Sequence, residues 1–191
     1  MTAAHQTSEN SERKVRIVIA PLDTVTDRDA VVFCEARRYA EEYGLCPPGG
    51  ILARGEHGKP YFSGGGPEFS ISHSGGYWVL ALSEGPVGVD LQKVQACKSE
   101  AIARRHFHPQ EYAWLQAEGF RRFFDLWAAR ESYVKYTGSG IAHGFNDLLI
   151  TEAGPGRFEA DGAVIYLLPF LNNYSLCVCT GYPAECEIFT I

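Results

Sequence analysis

The sequence predicts an α+β fold built from two similar subdomains side by side, each with a helix and antiparallel strands. Three observations predict it. Apolar residues recur at helical spacing in two long segments and dominate a larger number of short, strand-like runs. Glycine- and proline-rich turns separate those runs. Helix and strand signals then appear in both halves of the chain, with the division near residue 93.

The first strand is VRIVIA (15–20), stopped by Pro21. Residues 1–14 before it are polar and without period, and are expected to form a disordered tail. From Asp27 to Tyr43, Val32, Ala36, Tyr39 and Tyr43 fall at helical spacing, and Gly44 marks the stop. PPGG (47–50) and GEHGKP (55–60) read as loops, and SGGGPE (63–68) as a turn. FSIS and YWVLALS follow as a hairpin through Ser74-Gly75-Gly76, and VGVDL is a short strand that closes the first half at residue 93.

In the second half, 94–191, Ser99 to His106 reads as helical, and His108-Pro109 opens a new helix over 109–117 that Gly119 ends. A longer helix runs from Arg121 to Tyr136 and stops at TGSG. DLLITEA, GRFEA, AVIYLLPF, YSLCVCTG and ECEIFTI complete the chain as strands.

Composition narrows the function. The chain has 191 residues, 46% hydrophobic and 21% charged, which is enough for two small α+β units sharing a core. No apolar run reaches membrane-spanning length and the N-terminus does not read as a signal peptide, so a cytoplasmic protein without a membrane partner is expected. Six cysteines show no zinc spacing and read as reduced thiols. A net charge of −6 argues against nucleic acid as a partner.

The segment FFDLWAARESYVKYTGSG carries the strongest chemical signal. Phe124, Trp127, Ala128, Glu131 and Lys135 share one helical face, which the tryptophan marks as buried. A carboxylate in an apolar stripe loses hydration unless a cation or hydrogen bonds compensate. Either Lys135, four residues on, forms an ion pair with Glu131, or Glu131 shares a divalent metal with a second carboxylate, for which Asp90 at the end of VGVD is the best candidate. Taken singly, His73 reads as a turn residue, Lys59 as a solvated loop lysine, and Glu111 as a carboxylate favoured by a helix N-terminus.

Taken in order, GKPYF (58–62), FSISHSGG (69–76), VGVDLQ (87–92), FHPQEYAWL (107–115) and LWAARESYVKYTGSGI (126–141) resemble the 4′-phosphopantetheinyl transferases of the Sfp type. The resemblance spans residues 58–141. It implies an enzyme that transfers the 4′-phosphopantetheine arm of coenzyme A to a serine of an apo acyl or peptidyl carrier protein, in secondary metabolism. It also implies a pseudo-dimeric chain of two α+β halves that works as a monomer. Coenzyme A and Mg²⁺, or Mn²⁺, would bind in the cleft between the halves. By matching motif positions, Asp90, Glu131 and Gln92 would face the metal. Lys59, Ser72, His73, Lys135 and Arg28 would grip coenzyme A phosphates. Lys135 would also stabilise the leaving group, and either Glu131 or Glu111 would take the serine proton.

Three departures stand out. Gln92 stands where the family commonly has a glutamate, Arg130 where it has a lysine, and the N-terminal half is short. They leave a second reading, a homologue that binds coenzyme A or a carrier protein without efficient transfer. A third reading, a hydrolase or acyltransferase with His73 as base and Ser72 or Ser74 as nucleophile, lacks the G-x-S-x-G turn such serines require.

Overall fold

The computed structural model describes residues 13–140 and 147–191. The expected tail therefore lies outside the described residues up to position 12, and the first strand, β1 (Arg13–Pro21), already begins at Arg13. The helix α1 (Arg28–Tyr43) follows, opened by Asp27, whose side chain accepts from the Ala30 N–H at 3.0 Å, and closed by Gly44 in the left-handed region. Next come β2 (Leu52–Arg54) and β3 (Pro60–Phe62), paired with each other, in a stretch that reads as loop from sequence. Then come β4 (Glu68–Ser74), β5 (Tyr77–Ser83) and β6 (Val87–Lys93).

The second half adds α2 (Ser99–His106), α3 (Pro109–Ala117) and α4 (Phe123–Thr137), then β7 (Thr151–Gly154), β8 (Arg157–Ala160), β9 (Ala163–Leu168), β10 (Tyr174–Thr180) and β11 (Ala184–Thr190). The fold is α+β, as the sequence predicts. The strands form two main sheets, ordered β11-β1-β5-β4 and β6-β10-β9-β8-β7. Not every pairing is antiparallel: β1 and β11 run parallel. Each sheet also takes one strand from the other side of residue 93, β11 in the first and β6 in the second.

Side-chain alternation fixes the layers. Val18, Ala20, Trp78, Leu80 and Leu82 face α1, where Val32, Ala36 and Tyr39 meet them. Ile17, Ile19, Val79 and Ala81, on the opposite face, pack against Val89, Leu91, Leu176 and Val178 of the second sheet. Cys177 and Cys179 turn the other way, into the core below α4. The order is helix, sheet, sheet, helix, and the central strands are buried on both faces.

Two close approaches set the site. The edge strands β4 and β6 lie side by side without sharing a ladder. Instead the hydroxyls of Ser70, Ser72 and Ser74, on alternate residues of β4, accept from the N–H groups of Val89, Leu91 and Lys93 at 3.0, 3.3 and 2.9 Å. A row of serine side chains thus joins the two sheets. On its other side, β6 lies directly under α4 at Gly88, where an added Cβ would run into the Ser132 carbonyl and the Tyr136 backbone nitrogen. Both obstacles are helix backbone and cannot rotate away. Gly88→Ala is therefore expected to cost about 2 kcal/mol or more in urea unfolding; an unchanged midpoint would mean that α4 does not press on β6.

Candidate functional site

Asp90 stands in the middle of β6, not at its end, opposite Cys177 of β10. Its residue is 3% exposed, so its charge needs partners. Ser72 of β4 donates to Oδ1 at 2.9 Å, Lys135 of α4 donates to the same oxygen at 2.7 Å, and the Gln92 amide donates to Oδ2 at 2.7 Å. Lys135 also donates to the Ser72 hydroxyl at 2.9 Å. One carboxylate thus gathers a residue from each sheet and a third from the helix.

Glu131 lies one turn before Lys135 and is half-buried. It makes no hydrogen bond or ion pair among the described residues; Lys135 pairs with Asp90 instead, so the i,i+4 pair that the sequence offers is not formed. Burial raises the Glu131 pKa, the nearby Asp90 charge raises it further, and Lys135 and Arg130 pull it back. The Asp90 charge is therefore close enough to oppose ionisation of Glu131. Trp127 does not mark a single buried face: it is half-buried, whereas Leu126, Ala129, Arg130 and Ser132 are fully covered, because α4 is packed on several sides.

Glu131 and Lys135 line a cleft of about 560 Å³ with Arg54, Gly58, Lys59 and Ile71, bounded by the β2–β3 hairpin, β4 and α4. Lys59 reaches across it, donating to the Tyr136 carbonyl at 3.1 Å and the Val87 carbonyl at 3.2 Å, and burial lowers its pKa. The Gly58 turn that positions it needs a positive φ of 83°.

Other expected residues lie elsewhere. Glu111 is not brought to this cluster. Its Oε2 accepts from the His108 N–H and from Arg130, and its Oε1 from the Ile150 N–H at 2.8 Å. Both side chains of the Glu111–Arg130 pair are almost completely buried, and Arg130 donates as well to the Leu148 carbonyl at 3.0 Å. This carboxylate therefore caps α3 and ties it to α4. Ser72 is not open to an incoming phosphate either, since it is buried and its hydroxyl is fully engaged.

His73 is exposed on the opposite face of β4 from Ser72 and Ser74, so no serine–histidine pair forms. It lies two residues beyond Ile71 of the cleft, on the same face. Arg28 is exposed at the start of α1, near the same end of the first sheet, where the Leu22 N–H donates to the Gly76 carbonyl at 2.8 Å. Arg104, Arg121 and Arg122, between the two halves' motifs, are engaged in pairs with Glu100, Glu118, Asp125 and Glu152. The serine row was missed from sequence, although alternating serines in FSISHS place three hydroxyls on one strand face.

Two measurements follow from these environments. Glu111→Ala leaves Arg130 buried without its carboxylate and is expected to cost about 3–5 kcal/mol in urea unfolding; a stable variant that loses only turnover would return Glu111 to the chemistry. Glu131 binds its proton more readily folded than unfolded, so folding stability falls as pH rises from the ordinary value of 4.5 through the raised folded value. Glu131→Gln should accordingly be the more stable protein at neutral pH, with the gap closing below 4.5. A gap that stays constant with pH would contradict the raised value.

Comparison with known proteins bears on this arrangement. A family model described as the 4′-phosphopantetheinyl transferase superfamily matches residues 86–181. A 4′-phosphopantetheinyl transferase of Bacillus subtilis is 33% identical over 165 residues, covering 78% of this chain and 70% of that protein. The transferase psf-1 of Bacillus pumilus is 33% identical, covering 62% of this chain and 55% of that protein. The transferase gsp of Aneurinibacillus migulanus is 37% identical, covering 55% and 46%.

Proposed function

The chain belongs to the 4′-phosphopantetheinyl transferase superfamily, and from that premise we propose that it transfers the 4′-phosphopantetheine arm of coenzyme A to a serine of an apo acyl or peptidyl carrier protein at the Asp90–Glu131–Lys135 cluster. The observation that carries the proposal is the meeting of a carboxylate of β6 with a carboxylate and a lysine of α4 beside a cleft large enough for a cofactor-sized substrate.

The donor set fits a hard divalent cation. It offers two carboxylates, with the Asp90 charge opposing ionisation of Glu131 and an amide alongside, and Glu131 has no other partner among the described residues. Asp90 and Glu131 would hold Mg²⁺ or Mn²⁺, with Gln92 beside Asp90 adding no charge. Bound there, the ion supplies charge neutralisation for the pyrophosphate of coenzyme A.

The chain's own groups supply positioning. Lys59 and Lys135 present ammonium groups at the cleft, where phosphate oxygens accept their hydrogen bonds. His73 and Arg28, both exposed, would take the more distant nucleotide phosphates. Glu131 takes the proton from the carrier serine hydroxyl as that oxygen attacks the phosphorus next to the pantetheine. The bond from that phosphorus to the bridging oxygen breaks, and adenosine 3′,5′-bisphosphate leaves against Lys135. Glu111 has no part in this step, because its oxygens are engaged within the core. The cleft draws its walls from both halves of one chain, which supports action as a monomer.

Intact-mass spectrometry of an apo carrier protein incubated with enzyme, coenzyme A and Mg²⁺ tests the reading. A gain of one phosphopantetheine mass is expected, abolished by EDTA and slowed at least about a hundredfold by Asp90→Asn. No gain across fatty-acid, polyketide and peptide-synthetase carriers would contradict it, as would an unaffected Asp90→Asn variant.

A further inference from the structure

Asp90 is served by three donors, and the way they divide its two oxygens has a consequence for cation entry. A carboxylate oxygen accepts along two lone pairs. On Oδ1 both are in use, one by the Ser72 hydroxyl at 2.9 Å and one by Lys135 at 2.7 Å; on Oδ2 one is held by Gln92 at 2.7 Å. Lys135 is the only charged donor of the three, and it is fixed at two points, since its ammonium also donates to Ser72 at 2.9 Å. Ser72 is in turn fixed by the Leu91 N–H at 3.3 Å.

We propose that Lys135 and a divalent cation compete for Asp90, and that Ser72 is the positioning residue that holds Lys135 on the carboxylate. The inference rests on the metal-site reading above. A cation ligated by Asp90 would lie within a few ångströms of the Lys135 ammonium, and like charges at that separation in a half-buried site repel strongly. Lys135 has somewhere to go. Its side chain is 29% exposed, it sits in the last turn of α4 before the left-handed Gly138, and it already lines the cleft. Leaving Asp90 turns the ammonium toward that cleft. Cation entry and the presentation of Lys135 to a phosphate are thereby one event, and Ser72 sets the threshold for it without touching substrate.

Direct titration of Mn²⁺ into the full chain, in the absence of coenzyme A, tests this without reading turnover. Lys135→Gln keeps a hydrogen-bond donor for Ser72 and Asp90 but removes the charge, and should bind Mn²⁺ about tenfold more tightly than wild type. Lys135→Arg keeps the charge and should show no such gain. Ser72→Ala loosens the lysine and should tighten Mn²⁺ about threefold, with Ser72→Thr returning it to the wild-type value. Equal or weaker Mn²⁺ binding in Lys135→Gln, alongside loss of binding in Asp90→Asn, would overturn the competition and leave the metal site standing. A Ser72→Ala variant that loses stability with unchanged Mn²⁺ affinity would reduce Ser72 to a joint between sheets. Wild-type Mn²⁺ affinity in Asp90→Asn would remove the metal-site reading itself, and the inference with it.

Discussion

The architecture around the cleft depends on burying one carboxylate. Asp90 sits at the centre of a strand that is covered by a sheet on one face and by a helix on the other. An uncompensated charge there would cost several kcal/mol, and its compensation comes from three sources: a serine on the edge of the other sheet, a lysine on α4 and an amide two residues along its own strand. None of the three is useful unless the layers dock in one register. The ion pair is therefore a weak source of net stability and a strong constraint on how the layers fit.

The serine row and Gly88 make that register attainable. Strand edges normally present backbone groups that must find partners. Here three hydroxyls from β4 satisfy three N–H groups of β6, so the two sheets meet edge to edge by side chain rather than by ladder. A glycine on the opposite side lets α4 descend onto β6, which brings Lys135 within hydrogen-bond distance of Asp90. Packing and chemistry share the same residues at this point. The cleft opens where that packing ends, between the helix and the β2–β3 hairpin.

Much of this was legible in the sequence, for local reasons. Helix stops at Gly44 and Gly138, the Pro109 start and the hairpin through Gly75-Gly76 are written in short-range signals. Asp90, Glu131 and Lys135 stood out because a charged residue in an apolar strand or stripe needs a reason. What was not legible depends on distant partners. The parallel pairing of β1 with β11 joins opposite ends of the chain and leaves no periodic trace. Glu111 was a candidate base through the resemblance alone; its partner Arg130 lies 19 residues away on another helix, and only the fold shows that both are buried. A Lys135–Glu131 pair was one of two readings open in the sequence, because helical spacing is visible there and the approach of β6 is not. Strands of three residues, β2 and β3, are too short for alternation to register against their glycines.

The most direct single measurement is anomalous diffraction from crystals grown with coenzyme A and Mn²⁺. The account predicts one strong manganese peak between the carboxylates of Asp90 and Glu131, next to the pyrophosphate, with the Lys135 ammonium moved off Asp90. A peak at Glu111, or a coenzyme A pyrophosphate bound away from the cleft beside Lys59, would contradict it.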